Sequence, residues 1–589
     1  MSNNFLGVGM QNKTRWFVAA ALSLFFVAAL RDLQGDIWYQ MLAGRYAIAH
    51  GAPPFSDFFN YAGAGSPQLF GGWGYGALFE LSIRTFGLQS ASWLNSAIWA
   101  GAMGLAFWSA RLRDIRLRGF QSSWNAFQAS AAWELIGFGL FNMMSMRAES
   151  VLALVWFASF VVFELSMAKK KLHWSWVALP LLCLLESLAH TAAFLLVFPW
   201  AIGCALGLWN VKSARSWTWA GASLVAMAAL SVATPNGFQQ ATSQIQSVLA
   251  LLAEAKPAEA ASAVNIEYLP IWAPQMSGMA LPFFAVFALF LTVALRLREF
   301  KGAWVEALAC VVFLAMAALH IRAIGLAAVA LAIPALQAAM AGKLLPLAQI
   351  AEARARWGGV FPLWLAKVGW GVRTISVLLL LSAPWAISWS TSQWDIQPAK
   401  ARAQDIVDVI KKDSPAGAKI YAAEAGYQLA YLLGDGYLIS TASHQLVENK
   451  PAMDHQMALL SMAPGWESEL DKADFVCLPL YAPMPKAGYA YALPKKLSES
   501  GRWKYFPQGG FPCELFERLP AGSPDLSIDQ RMLQTLQYME ATAYIANMSA
   551  RVYDDVAGQD LVEKMIPQIL ALRKARESFQ KASEKQPSR

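Results

Sequence analysis

Carboxylates and cations able to act on a substrate are few in the first two thirds of the chain, and they are unevenly placed. The acids Asp32, Asp36, Asp57, Glu80, Glu149, Glu186, Glu254, Glu259 and Glu267 fall in or beside one alternating set of connecting segments. The cations on that side are Arg31, Arg45, Arg84, Arg147, Lys256 and Arg322. A half-buried carboxylate can take a proton from a hydroxyl, and an arginine can grip a phosphate at two points. Each candidate also has a structural alternative. Asp36 heads a helical stretch and can cap it. Asp57, after Pro53-Pro54-Phe55-Ser56, can form a turn. Arg147 and Arg322 sit at the ends of apolar runs and can reach lipid headgroups. Lys256, before Pro257, lies in a long connecting segment. Glu186 and His190 are four residues apart and share a face if their helix continues that far, with a structural hydrogen-bonded pair as the first reading. A metal site would need His50 to join from afar, and no strict ligand spacing is present. The residues require no cofactor and leave a divalent metal open. Walker, Gly-rich dinucleotide, Cys-x-x-Cys and serine-elbow patterns are missing.

The elements that must position these residues are set by hydropathy. Hydrophobic residues make up 57% of the 589, and only 15% are charged, against about 25% in an ordinary soluble domain. Disorder and a disulfide scaffold are excluded. Residues 1–394 hold 25 Lys and Arg against 15 Asp and Glu, a net of +10, whereas residues 395–589 hold 22 against 24, a net of −2. The basic excess therefore lies in the apolar part and does not indicate nucleic-acid binding. Apolar runs start near Trp16, Ser90, Asn125, Glu149, Trp174, Thr191, Ser216, Met279, Ala303, Ala323 and Lys367, which predicts about eleven membrane helices. One set of loops carries Lys13, Arg15, Arg111, Arg113, Arg116, Arg118, Lys169, Lys170, Lys171 and further basic residues, and the positive-inside rule makes it cytoplasmic. The N-terminus is then inside and the C-terminal part outside. Residues 172–211 must cross twice for this to hold, as two short helices meeting near residues 186–190. A single long tilted helix there would invert everything downstream. Two large outer loops follow, residues 31–89 and 235–278. The first holds a helix over residues 36–50, ended by Gly51 and Pro53-Pro54. Most of the 25 Trp residues are expected at membrane interfaces.

Residues 395–520 read as a small α/β domain, with a helix over 399–412. Strands are expected over 418–422, 436–440, 474–479, 503–506 and 513–518. Residues 521–589 read as a charged helical tail, able to dock a partner or pack on the domain. Cys183, Cys204 and Cys310 lie in apolar runs and pack as small apolar residues. Cys477 and Cys513 lie in the outer domain, where an oxidising compartment lets them pair.

The stretch Asp36, Trp38-Tyr39, Gly44-Arg45, His50-Gly51 and Pro53 resembles the first outer loop of bacterial membrane proteins of the type-C glycosyltransferase superfamily. Pro54 to Asp57 and Tyr61 resemble the next element of that loop. Weaker similarities are Glu186 to His190, Thr234 to Gly237, Glu267-Tyr268, Arg322 and a Gly-Tyr-Leu segment over residues 427–438. The paired acidic motif of protein O-mannosyltransferases is absent. The resemblance implies a mainly α, polytopic membrane domain over residues 1–394 in a bacterial inner membrane, with an extracytoplasmic α/β domain and helical tail behind it. It implies transfer of a sugar from a polyprenyl-phosphate donor to a lipid, glycan or protein acceptor on the outer face. Asp36 would be the general base and Asp57 a second carboxylate. Arg147, Arg322 and Lys256 would meet the donor phosphate, with Arg45, His50, Glu186, His190 and Glu267 in support. The alternative is a non-catalytic assembly subunit that holds partners through its outer domain and tail.

Overall fold

The computed structural model describes residues 37–62, 64–66, 70–119, 126–140, 143, 148–169, 174–189, 214–234, 237–238, 242, 280–294, 304–319, 323–341, 399–414, 416–423, 425–441, 455–456, 458–482, 489–490, 492–507, 513–553 and 555–584. It is mostly helical, with one small sheet and a short two-stranded ribbon. The chain divides into two compact units. Residues 78–272 and 277–395 fall in the first, with 1–33. Residues 34–77 join 396–589 in the second, with 273–276. This division departs from the expected one at residue 394, because much of the first outer loop belongs with the C-terminal residues.

In the outer loop, α1 is Ile37–His50 and α2 is Trp73–Phe86, whose first turn belongs to the second unit. The first unit then contains α3 (Gln89–Arg118), α4 (Ala126–Leu140), α5 (Glu149–Lys169), α6 (Ala178–Ala189), α7 (Ala214–Val232), α8 (Ala280–Ala294), α9 (Trp304–Leu319) and α10 (Ile324–Met340). Each expected span start within the described residues has a helix at or near it. Among the described residues one helix, over Glu149–Ser166, is long and apolar enough to cross a membrane, with mean hydropathy 1.7 over 18 residues. The expected starts at Trp16, Asn125, Thr191, Met279, Ala303 and Lys367 lie outside the described residues.

Helix α10 is central to this unit. It is rich in alanine and buried along nearly its whole length. Small side chains let it pack closely with α3, α4, α8, α9. Gly139 of α4 touches it so closely that an added Cβ would lie 2.7 Å from the Ala328 Cβ.

The basic stretch expected to be a cytoplasmic loop is instead the last turns of α3. Arg113 has no exposed surface, and its guanidinium lies 2.5 Å from Glu164 of α5 and 2.5 Å from Glu306 of α9. Arg116 reaches the other Glu164 oxygen at 2.9 Å. Asp114 is paired with Arg111 at 2.8 Å and with Arg118 at 2.5 Å. The hydrophobic pattern could not separate Arg113 and Arg116 from loop charges, because their partners lie on distant helices.

The second unit continues with α11 (Ala399–Asp413), β1 (Lys419–Ala422), α12 (Gly426–Leu433), β2 (Leu438–Ser440), α13 (Trp466–Leu470), β3 (Phe475–Leu478), β4 (Tyr481–Ala482) and β5 (Tyr489–Ala490). It ends with α14 (Ala492–Glu499), β6 (Trp503–Phe506), β7 (Glu514–Arg518), α15 (Ile528–Tyr553) and α16 (Val556–Glu584). The sheet order is β2-β1-β3-β7-β6. The first three strands are parallel, β7 runs antiparallel to β3, and β6 runs antiparallel to β7. All five strands expected from alternation are present.

The expected tail does not stand apart. Leu536, Tyr538 and Met539 of α15 and Met565 and Ile569 of α16 share one core with Val476, Leu478, Trp503 and Phe516 of the sheet. Cys477 and Cys513 form a disulfide with Cα atoms 5.5 Å apart, within the usual span.

Candidate functional site

Of the outer-loop residues singled out by the sequence, Arg45, His50 and Asp57 lie in the second unit, and its local physics explains their types. Helix α1 ends at Gly51, whose φ of +73° suits a glycine and whose amide bonds the Ala47 carbonyl at 2.8 Å. Gly44 lies on the side facing the first turn of α2. A Cβ added at Gly44 would lie 2.1 Å from the Ala77 amide nitrogen, and one at Gly76 would lie 1.7 Å from the Gln40 carbonyl. Backbone meets backbone there, which only glycine allows.

Arg45 follows on the neighbouring face. Its guanidinium lies 3.8 Å from the centre of the Tyr431 ring, and Nη1 donates to the Tyr431 carbonyl at 2.9 Å. A planar, delocalised cation fits such a stack better than an ammonium. Trp38 meets the same Tyr431 ring at 5.3 Å, and Tyr39 meets Tyr427 of α12 at 5.2 Å. Phe59 meets Tyr427 at 5.7 Å. Tyr427 and Tyr431 of α12, within the segment 427–438, therefore form an aromatic bed for α1. His50 stacks on Tyr46 at 4.0 Å, and its Nδ1 lies 3.0 Å from the Tyr46 carbonyl. It closes the exposed end of α1.

Asp57 is buried, at 2% exposure. Its Oδ1 accepts from the amides of Phe59 at 3.3 Å and Asn60 at 3.0 Å. Its own amide and carbonyl bond Ser66 and Gly65, each at 2.9 Å. These are the bonds of a turn former. The turn delivers residues 59–61 to the free edge of β2. The Ile439 amide donates to the Phe59 carbonyl at 3.0 Å, and the Tyr61 amide to the Ile439 carbonyl at 3.1 Å. Asn60 Nδ2 donates to the Thr441 carbonyl at 2.7 Å. Loop and sheet thus form one hydrogen-bonded array.

Sequence reading missed the side chains that gather at this seam. Ser440 Oγ lies 3.0 Å from His455 Nδ1, and His455 Nε2 lies 3.5 Å from Glu469. The rings of Tyr61 and Tyr421 meet the imidazole at 6.0 and 5.9 Å, both edge to face. Burial pushes the His455 imidazole below its usual range; Glu469 opposes this and Lys472 adds to it. Burial also raises the Tyr61 phenol, against a Ser440 contact that lowers it. A Ser-His-Glu order invites comparison with an activated nucleophile. The geometry argues otherwise, since Ser440 has no exposed surface and Lys472 grips both Glu469 oxygens at 2.7 Å. No sequence motif signals the cluster, because its members come from five separated segments.

Asp36, Arg147, His190, Lys256, Glu267 and Arg322 lie outside the described residues. Glu186 is on α6 with no exposed surface, and neither carboxylate oxygen has a hydrogen-bond partner among the described residues. No group of three His, Cys, Asp or Glu side chains suited to a metal gathers among the described residues.

No protein-family model matches this sequence, and no curated relative matches it. Solved structures do match. The archaeal oligosaccharyltransferase AglB from Archaeoglobus fulgidus, in complex with an inhibitory peptide and a dolichol-phosphate, is similar with a TM-score of 0.51 and 12% identity, over 90% of this chain and 78% of that one. The Archaeoglobus fulgidus oligosaccharyltransferase tethered to an acceptor peptide containing the NVT sequon gives 0.50 and 13% identity, over 86% and 75%. ArnT from Cupriavidus metallidurans, bound to undecaprenyl phosphate, gives 0.42 and 14% identity, over 76% and 88%.

Proposed function

The chain has the type-C glycosyltransferase fold, and from that premise we propose that it is a membrane glycosyltransferase. It moves a sugar from a polyprenyl-phosphate donor to an acceptor on the extracytoplasmic face of a bacterial inner membrane. The carrying observation is the fold itself, shared over most of the chain with proteins whose structures contain a lipid phosphate or an acceptor peptide. The apolar composition supports a membrane location. The Cys477–Cys513 disulfide supports an outer position for the C-terminal unit, since such bonds persist in oxidising compartments.

In the proposed reaction the acceptor hydroxyl oxygen attacks the anomeric carbon of the donor sugar. Asp36 takes the hydroxyl proton. The bond from the anomeric carbon to the phosphate oxygen breaks, and its electron pair leaves with the polyprenyl phosphate. Arg147, Arg322 and Lys256 neutralise that phosphate. Asp57 and Arg45 hold the loop that carries Asp36, and His50 closes its helix. Glu186, His190 and Glu267 give further support to the site.

A second reading, a non-catalytic assembly subunit, is favoured by exposed apolar side chains on the last helices. Tyr544 is 62% exposed, Leu570 58% and Ile566 49%. Membranes bearing the chain and given labelled polyprenyl-phosphate hexose or pentose decide between them. Transfer of label to an acceptor supports the enzyme. Label retained on every lipid donor, at normal protein abundance, supports the subunit.

A further inference from the structure

The seam between the first outer loop and the sheet is held by few groups, and an imidazole, that of His455, lies among them. Two backbone bonds join residues 59–61 to Ile439, and Asn60 adds a third to Thr441. Beside them Tyr61 packs against His455, which in turn lies 3.0 Å from Ser440 on the same edge strand. We propose that His455 is a proton-operated latch that fastens residues 57–66 to the edge of β2 when its imidazole is neutral and loosens them when it is charged.

The cluster explains the direction. Among the described residues, the titratable and charged groups facing His455 are Tyr61 of the loop, Tyr421 of β1, Glu469 of α13 and Lys472 just after it. Both tyrosines stay neutral, because burial raises them. Among the described residues Glu469 is the one group able to favour an imidazolium, and Lys472 already holds it at 2.7 Å while His455 stands at 3.5 Å. A charged imidazole there loses water and gains little in return. A neutral Nδ1 can accept the Ser440 hydroxyl, whereas the charged ring can only donate. The folded value lies below the unfolded one, so the fastening is complete above the unfolded value of about 6.5 and is lost as pH falls through the folded value. Each unit of depression corresponds to about a tenfold change in the fastened-to-loose ratio. The loop also leads back into α1, which Asp36 immediately precedes. An effect on transfer rests on the proposed function; the latch itself does not.

Amide hydrogen exchange on the full-length protein in detergent tests it. Rates at the Tyr61 and Ile439 amides are compared at pH 7.5 and 5 after correction for intrinsic exchange. Protection is expected to fall about tenfold at the lower pH, while amides in β3 hold theirs. His455→Asn should remove the pH dependence and keep protection at both values. Unchanged wild-type protection, or the same fall in His455→Asn, overturns the latch. Should that variant fail to fold, NMR titration of the wild-type imidazole serves instead: a value at or above the ordinary histidine range refutes the proposal. Lys472→Ala should raise that value, by freeing Glu469 for the imidazolium. Loss of transfer activity at pH 5 without loss of protection counts against the latch and leaves the proposed function standing.

Discussion

Asp36→Asn is expected to abolish transfer while leaving the protein folded. Asn keeps the size and can still cap α1, but it cannot take a proton from a hydroxyl. General-base contributions are about 10²–10⁴-fold, or roughly 3–5 kcal/mol of barrier. Product formation in membranes, with abundance and melting temperature measured alongside, checks this; near-full turnover would leave Asp36 a cap alone. Arg322→Lys should weaken donor use less than Arg322→Ala, because charge survives and two-point geometry does not. Gly44→Ala makes a contrasting case. Its new methyl would sit on the Ala77 backbone, where no side chain can yield, so a loss of about 3 kcal/mol is expected. That loss appears as a lower melting temperature and reduced abundance. The sequence displayed Gly44-Arg45 as a motif but not its cause. Close contact with Gly76 and stacking on Tyr431 are facts about partners that no local pattern encodes.

The elements were legible wherever periodicity is local. The alternation that marks β1, β2, β3, β6 and β7 needs only neighbouring residues, as do the apolar runs of α3 to α10. Partnerships between elements were not. Arg113 read as a loop cation, yet it is buried between two acids. Arg113→Ala would leave Glu164 and Glu306 in an apolar bundle with their main counter-charge gone, at about 3–5 kcal/mol. A thermal shift of the detergent-solubilised protein reads it, and an unchanged melting temperature would mean that water reaches the acids. The disulfide belongs to the same scale. It closes 36 residues between neighbouring strands, so Cys477→Ala with Cys513→Ala should cost about 2–4 kcal/mol. Urea unfolding followed at Trp503 checks this, and equal midpoints with and without reductant would refute it. Gln534 shows how α15 contributes. Its amide nitrogen donates to the carbonyls of Ser498 at 2.7 Å and Trp503 at 3.1 Å, and its oxygen accepts the Tyr505 amide at 3.3 Å. The outer edge of β6 is thereby occupied, which blunts pairing with another chain.

For the whole molecule, orientation is the central expectation. A cysteine at position 530, as Gln530→Cys, should react with an impermeant maleimide from the outer side of the inner membrane. Labelling only after that membrane is permeabilised would overturn the topology and with it the outer-face reaction. Charge bias in loops carried this expectation, and it weakens where loop charges prove to be paired helix residues, as at Arg113. The division into two units was the least legible feature. Residues 34–77 read as a surface loop of the membrane part, because sequence proximity suggested it. Their bonds run to α12 and β2 instead, and those bonds follow from fitted aromatic rings and one turn.

That seating has a consequence for how the protein is made. Asn60 and Thr441 are 381 residues apart in sequence, and Arg45 and Tyr431 are 386 apart. At about 5–20 residues per second, roughly 20–80 s separate the emergence of the loop from that of its bed. Closing so long an interval is thermodynamically inexpensive, since each doubling of length adds only about 0.6 kcal/mol. Kinetically it leaves Trp38, Tyr39 and Phe59 without their partners on α12 throughout the interval. Nascent chains halted before β2 should therefore be clipped within residues 51–66 by added protease and bind holding chaperones, whereas chains released after β7 should resist. Biogenesis, more than equilibrium stability, is where a damaged Tyr427 or Tyr431 would first be felt.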